Sequence, residues 1–265
     1  MTVLATADGL TVRFKRPRSL TMLRPAPFTA VDDVSFELKS GAITAIVGES
    51  GSGKTTVARA LLRLVPFEGE VTVDGVAVHD LPTYPGLDYR RRIQAVFQDP
   101  LQALNPRHSA EQLIGEPLRV HGHREPTEHS ARIDELLEHV GLDAELRPRT
   151  ARELSGGQRQ RVAIARALAS EPRVLVLDEA LSSLDVTTGT RVARLLRALV
   201  DADSAMLFIA HDLALVRQLC DEVLVMHNGR IVERGSPDDV CDRPQDPYTQ
   251  RLIAAIPDPA DALVS

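Results

Sequence analysis

The sequence predicts an α/β fold, a core of alternating strands and helices that carries an inserted helical subdomain. Three observations predict it. Apolar runs of strand length at residues 42–47, 173–180 and 205–212 alternate with stretches of helical spacing. A glycine-rich turn joins the first of these runs to a helix. From about residue 100 to Arg161 the chain is mostly helical and charged, the pattern of a unit set into the core.

The elements follow in order. Leu10–Phe14 ("LTVRF") and Val31–Leu38 ("VDDVSFEL") alternate loosely and read as strands. The Pro- and Arg-rich stretch between them, 15–27, reads as an exposed insertion. Ala42–Val47 is apolar at almost every position, which suits a strand buried on both faces. The run from Thr55, "TTVARALLRLV", has apolar residues at helical spacing. Gly69–Val78 alternates about a central Asp-Gly, a hairpin signal. "RRIQAVFQDP" reads as a strand ending at Pro100, and the preceding "YRRR" (Tyr89–Arg92) as a solvated basic face. "SAEQLIGEPLRV" and "HSARIDELLEHVGL" supply helices of the inserted part. Arg173–Ala180 and Ala205–Asp212 are buried strands, each followed by a helix. Asp221–Gly235 is a hairpin turning at Asn228-Gly229, and the Pro-rich tail after Ser236 reads as a peripheral appendage.

Composition narrows the function classes. The chain has 265 residues, 43% of them apolar, enough for a sizeable core. Its net charge is −6 with dispersed basic residues, a poor match to nucleic acid, whose phosphates call for a concentrated basic face. Two cysteines far apart, Cys220 and Cys241, provide neither a disulfide framework nor the thiols of an iron–sulfur cluster. The N-terminus lacks the basic-then-apolar pattern of a signal peptide, and no apolar run reaches the roughly 18–20 residues that span a bilayer. Any work at a membrane then runs through a partner. His121, His123 and His129 fall in a Pro- and Glu-containing loop between helices, which reads as a connection rather than a metal site.

The chemistry concentrates at Val47–Thr56, "VGESGSGKTT". It matches the phosphate-loop template G-x-x-x-x-G-K-[ST] at Gly48, Gly53, Lys54 and Thr55, with Glu49, Ser50, Gly51 and Ser52 between. Glycines let successive backbone N–H groups turn inward toward phosphate oxygens. The following helix adds the positive end of its dipole. Lys54 is placed to neutralise the β and γ phosphates and Thr55 to present a hydroxyl to Mg²⁺; Thr56 falls in the first helical turn. At the end of "VLVLDE", Asp178 can hold the Mg²⁺ shell and Glu179 can polarise a water, although acidic residues at strand ends also cap helices. No "NKxD" sequence is present, which disfavours GTP. A second potential anion pocket, Leu154, Ser155, Gly156, Gly157 and Gln158, opens another helix about a hundred residues later.

Taken together these motifs resemble the ATP-binding subunit of an ABC transporter over nearly the full length. They are the phosphate loop, the glutamine Gln98, the "LSGGQ" signature, the Walker B strand Val174–Asp178 with Glu179, the D-loop "SSLD" with Asp185, and His211 in "FIAHD". The resemblance implies a P-loop NTPase (RecA-like) core with an N-terminal antiparallel β subdomain and an inserted α-helical subdomain at about 99–165. It implies an ATPase domain over 1–240 and a tail of the peptide-importer type over 241–265. It implies ATP and Mg²⁺ as cofactors, with Mg²⁺ held by Thr55, Gln98 and Asp178, partly through water. Glu179, His211 and Gln98 take the catalytic roles. A second ATP-binding subunit, identical or different, supplies Leu154–Gln158 in trans. Two transmembrane permeases and, indirectly, an extracytoplasmic solute-binding protein complete the assembly at the cytoplasmic face of the cell membrane. An aromatic stacks on adenine in this family; Phe14 is the candidate and Phe28 the second, a core role being open for both. "VFQDPLQALNPR" and "RPQDPYTQRLIAAIPDP" are similar to the peptide and nickel importer branch, with Asp246 where that branch usually has histidine and Ala180 where it has proline. Peptide import is the expectation. Nickel or another small solute is the alternative cargo, and a soluble switch uncoupled from transport or a non-hydrolysing regulatory subunit the alternative roles.

Overall fold

The structure is a computed structural model and describes residues 1–15, 27–99, 103–121, 126–182 and 184–255. The 15–27 insertion, Pro100, His123, Ser183 of the D-loop and the end of the tail therefore lie outside it, apart from Lys15 and Pro27.

The chain opens on β1 (Val3–Phe14) and β2 (Phe28–Lys39), paired antiparallel. β3 (Ile43–Val47) leads through the glycine loop into α1 (Lys54–Leu61). β4 (Glu68–Val73) and β5 (Val76–Ala77) turn at Asp74-Gly75, both at positive φ (47° and 75°), as a two-residue hairpin turn of this type requires. α2 (Leu87–Arg92) runs directly into β6 (Ile93–Val96). The helical stretch consists of α3 (Ala110–His121), α4 (His129–His139) and α5 (Gly156–Leu168), which pack on one another. Then come β7 (Val174–Asp178), α6 (Val186–Leu199), β8 (Ala205–Ile209) and α7 (Leu213–Leu219). β9 (Glu222–His227) and β10 (Arg230–Gly235) form the second hairpin, and α8 (Pro237–Asp242) and α9 (Pro247–Ala254) follow.

Two sheets result. One is antiparallel, ordered β2-β1-β4-β5. The other is ordered β10-β9-β3-β8-β7-β6, parallel from β9 to β6 with β10 antiparallel at the edge. Every residue of β3, β7 and β8 is buried, so these strands carry no polar face. Their alternate side chains feed two cores. Leu175 and Leu177 join Leu113, Ile114 and Ile164 of the helices on one face. Val174 and Val176 join α1 and the antiparallel sheet, through Val57, Leu61, Leu10 and Leu38, on the other. Burying each such side chain contributes about 1.5–3 kcal/mol. Among the described residues no helix is long and apolar enough to cross a membrane.

Four local expectations are corrected. β1 and β2 begin before the stretches that alternate in sequence. Gly9 at φ 60° and Asp33 at φ 56° distort both strands and shift their register, which hides the period-2 pattern. The strand read at "RRIQAVFQDP" spans only Ile93–Val96, because Arg91 and Arg92 belong to α2. Tyr89 of the basic cluster is buried, its hydroxyl bonded to the Leu61 carbonyl, and Arg92 pairs with Asp74, so the cluster is not wholly solvated. The tail after Ser236 is not peripheral. α8 and α9 bury Val240 and Tyr248 against the core.

Candidate functional site

In an open parallel sheet, ligands bind beyond the carboxyl ends of the strands. Four neighbouring strands place chemistry there in this chain. β3 runs into the glycine loop, β8 ends two residues before His211, β7 ends on Asp178 and is followed by Glu179, and β6 ends two residues before Gln98. Direct pairing of Asp178 with Ile209 and of Val96 with Leu177 brings these ends level.

The glycine loop needs its glycines for space as well as for curvature. A Cβ on Gly48 would lie 2.1 Å from the Met226 carbonyl, and one on Gly53 would lie 2.4 Å from the Ala30 carbonyl. Both residues hold positive φ, 148° and 108°. The β9–β10 turn supports the loop from below, where the Gly229 N–H donates to the Ser52 carbonyl (2.9 Å). The first-turn amides of α1, at Lys54 and Thr55, have no carbonyl behind them in the helix and face the loop. The Ser52 hydroxyl is buried with no hydrogen-bond partner among the described residues. An orphaned buried hydroxyl in a glycine loop that opens a helix fits a phosphate oxygen.

Lys54 is buried, and its Nζ donates to the carbonyls of Gly48 and Glu49, both at 2.8 Å. Burial lowers its pKa, and the nearby carboxylates of Glu179, Asp178 and Glu49 oppose that shift. The Thr55 hydroxyl donates to Asp178 Oδ1 at 3.1 Å. Asp178 is only 4% exposed, and burial raises its pKa, opposed by the Thr55 hydrogen bond. A desolvated carboxylate beside a hydroxyl is a hard-oxygen pair that suits Mg²⁺.

Glu179 carries the other polar contact. Its Oε1 lies 2.5 Å from His211 Nε2, a hydrogen bond between the two side chains. Its backbone sits at φ 53°, uncommon for a residue with a side chain, and its N–H donates to the Ile209 carbonyl. A cavity of about 290 Å³ opens beside the pair, lined in part by Glu179, Ser182, Asp185 and His211. A slightly larger one, about 330 Å³, lies at the opposite edge, where β7 and β8 begin, away from this chemistry. Asp185 caps α6, its carboxylate accepting from the Thr188 N–H (3.0 Å), which lowers its pKa.

The signature stretch stands apart. Leu154 is buried as an anchor, while Ser155 and Gly156 are exposed. Ser155 Oγ accepts from the Gln158 N–H (3.2 Å) and Gln158 Oε1 accepts from the Ser155 N–H (2.9 Å), a reciprocal cap that opens α5. No hydrogen bond joins Leu154–Gln158 to the glycine loop among the described residues. The signature stretch is thus exposed at Ser155 and Gly156 and makes no such contact with the loop. Gln98 is exposed; the neighbouring Phe97 carbonyl accepts from the side chain of Gln160 on α5 (3.5 Å).

Phe14 and Phe28 face each other as register partners at the end of the antiparallel sheet, 37% and 46% exposed. A core role is excluded for both. Ala30, two residues beyond Phe28 on the same strand, is the residue against Gly53, so this aromatic pair lies close to the loop.

One contact was missed in the sequence. The Glu49 N–H donates to the hydroxyl of Tyr248 in α9 (2.9 Å). The Asp-Pro before Tyr248, a helix-capping pair, is the only local signal of it: Asp246 Oδ1 accepts from the Tyr248 N–H.

Comparison with known proteins gives consistent results. The family model described as "ABC transporter" matches residues 31–182. A putative peptide import ATP-binding protein of Brucella ovis is 44% identical over 238 residues, covering 89% of this chain and 75% of that protein. The oligopeptide transport ATP-binding protein OppF of Streptococcus mutans is 42% identical, covering 88% and 77%. The glutathione import ATP-binding protein GsiA of Salmonella paratyphi A is 44% identical over 94% of this chain and 40% of its own length. Among solved structures, the dimeric ATP-binding cassette MJ0796 in a post-hydrolysis state bound to ADP and Pi superposes with a TM-score of 0.77 at 27% identity, covering 88% and 99%.

Proposed function

This chain belongs to the ABC transporter family, and from that premise we propose that it is the ATP-hydrolysing subunit of a peptide importer. It binds ATP and acts as an ATPase, as members of the family do. The observation that carries the reading is the convergence of Lys54, Thr55, Asp178, Glu179 and His211 at neighbouring strand ends, with the signature held elsewhere. Residues 1–240 form the ATPase unit, with 99–165 as its helical part, and 241–265 the tail.

In this reading Gly48–Thr56 wrap the phosphates. Lys54 turns from its own carbonyls to the β and γ phosphates. Thr55, Asp178 and Gln98 would hold Mg²⁺. Mg²⁺ supplies neutralisation of the charge that develops on the phosphate oxygens. Glu179 orients a water in line with the γ-phosphate and accepts its proton. His211 holds both Glu179 and the γ-phosphate in place. Phe14 stacks on adenine. Leu154–Gln158 of a second subunit closes the site, with Asp185 at the junction, so that two nucleotides lie in one dimer interface. ATP binding favours the closed dimer and hydrolysis releases it.

The MJ0796 cassette is dimeric, and the peptide, oligopeptide and glutathione import names of the relatives support a small peptide as cargo. Two permeases and a solute-binding protein are the further partners, with this subunit peripheral at the cytoplasmic face. The test is reconstitution with permeases that copurify with it and uptake of a labelled di- or oligopeptide. ATP-dependent peptide uptake supports the reading. Uptake of nickel alone moves the cargo to the metal, and failure to copurify with any permease overturns the transport role.

A further inference from the structure

Tyr248 is the buried titratable side chain nearest the glycine loop that the reaction above leaves unused. It is 4% exposed, and burial raises its pKa, so it is a neutral phenol at working pH. Its ring stacks on His227 with centroids 3.8 Å apart and planes at 25°. Its hydroxyl accepts the Glu49 N–H at 2.9 Å.

The segment that delivers it is held firmly. The Glu233 carboxylate of β10 accepts the N–H groups of Gln245 (2.9 Å) and Asp246 (3.0 Å), and Asp246 caps α9. His227, under the ring, ends β9. Two residues later Gly229 donates to Ser52. The tail and the β9–β10 hairpin thus grip the loop at two points, the amide of residue 49 and the carbonyl of residue 52.

Lys54 grips the loop from within. Its ammonium holds the carbonyls of Gly48 and Glu49. An ammonium engaged with two carbonyls must give up one or both to reach a phosphate. The Gly48 carbonyl then loses its Lys54 donor and the Glu49 carbonyl keeps only the Ser52 N–H (3.2 Å), at the moment the loop must present its amides. The bond to Tyr248 is on the opposite atom of the same residue and does not compete with phosphate for Lys54.

We propose that Tyr248 is a positioning residue for nucleotide binding. Its hydroxyl fixes the Glu49 amide so that the loop keeps its shape when Lys54 leaves that residue for the nucleotide. Without it, ordering this stretch becomes part of the cost of binding. The proposal rests on the reading of the loop as an ATP site.

The test is Tyr248→Phe in the full chain, which keeps the ring and its stacking and removes only the hydroxyl. Lys54→Ala in the same assay reports the nucleotide site itself. The expected result is a KM for ATP raised roughly threefold to tenfold, the range of one lost hydrogen bond. kcat at saturating ATP stays within about twofold, and the Tm of the nucleotide-free chain within about 2 °C. An unchanged KM in Tyr248→Phe, with binding lost in Lys54→Ala, overturns the proposal and leaves the ATP site standing. A lowered Tm or kcat with unchanged KM makes the contact structural and overturns it equally. A wild-type chain that binds no ATP overturns the ATP site and the proposal with it.

Discussion

Glu179 Oε1 and His211 Nε2 lie 2.5 Å apart across the ends of two adjacent strands, and the backbone of Glu179 is twisted to φ 53° where it leaves β7. The carboxylate proposed to align water is therefore held by a side chain that follows the neighbouring strand as well as by its own backbone. Glu179→Gln keeps the shape and the contact but removes the base. ATP affinity stays within about threefold while turnover falls by roughly 10² to 10⁴. Single-turnover hydrolysis with radiolabelled ATP measures this, and near-normal turnover would remove Glu179 from the catalytic role.

Asp178 gives a stability prediction with a definite sign. Burial raises its folded-state pKa above the unfolded value, so the ionised carboxylate works against folding at neutral pH, and that penalty fades as pH falls through the folded pKa. Asp178→Asn keeps an acceptor for the Thr55 hydroxyl. The nucleotide-free variant should melt higher than wild type at pH 7, with the gap shrinking on acidification, and should lose Mg²⁺-dependent turnover. Calorimetry at several pH values without nucleotide is the measurement; a lower Tm at pH 7 contradicts it.

Gly53 tests the loop's packing independently of its chemistry. An alanine there would place Cβ 2.4 Å from the Ala30 carbonyl and 2.7 Å from Met226 Cε, at φ 108°. Strain and overpacking together should destabilise by at least about 2 kcal/mol, lowering Tm by at least about 4 °C. Gly51→Ala, whose Cβ meets nothing within 4 Å but which shares a positive φ of 83°, should cost less. Equal Tm losses for the two would show that close approach is not the reason for glycine at residue 53.

Ser155 separates folding from assembly. Ser155→Ala removes the hydroxyl of the reciprocal cap on α5, a loss of about 1 kcal/mol in stability. Because the proposed function puts Ser155 in a partner's site, ATP binding to a single subunit should be unchanged. Dimer formation in the hydrolysis-deficient Glu179→Gln background should weaken. Light scattering with and without ATP decides the matter, and an intact ATP-dependent dimer would argue against the trans contact.

The residues of the candidate site were legible because each belongs to a short, spaced pattern whose physics is local. A glycine loop before a helix, carboxylates after an apolar strand and a serine with two glycines opening a second helix need no distant partner to be recognised. What supports them was not legible. Met226, Gly229 and Tyr248 reach the loop only through the sheet order that sets β9 beside β3. Likewise α2 was lost in "RRIQAVF" because a six-residue helix runs into a four-residue strand without a breaker. Phe14 was legible as an aromatic at a strand end, but its exposure depends on its register opposite Phe28.

The grip of Tyr248 on Glu49 also orders events in time, for 199 residues separate the two. At a synthesis rate of about 5–20 residues per second, the loop leaves the ribosome roughly 10–40 s before its outer support exists. For most of that interval Gly48–Gly53 lacks the Met226 floor, and for all of it the Tyr248 clasp. A nascent chain interrupted before residue 226 would carry a complete phosphate-loop sequence without the Met226 carbonyl that packs on Gly48 or the Gly229 N–H that holds the Ser52 carbonyl. A chain that stops short of residue 248 should therefore bind ATP at least roughly threefold to tenfold more weakly, the loss expected of Tyr248→Phe.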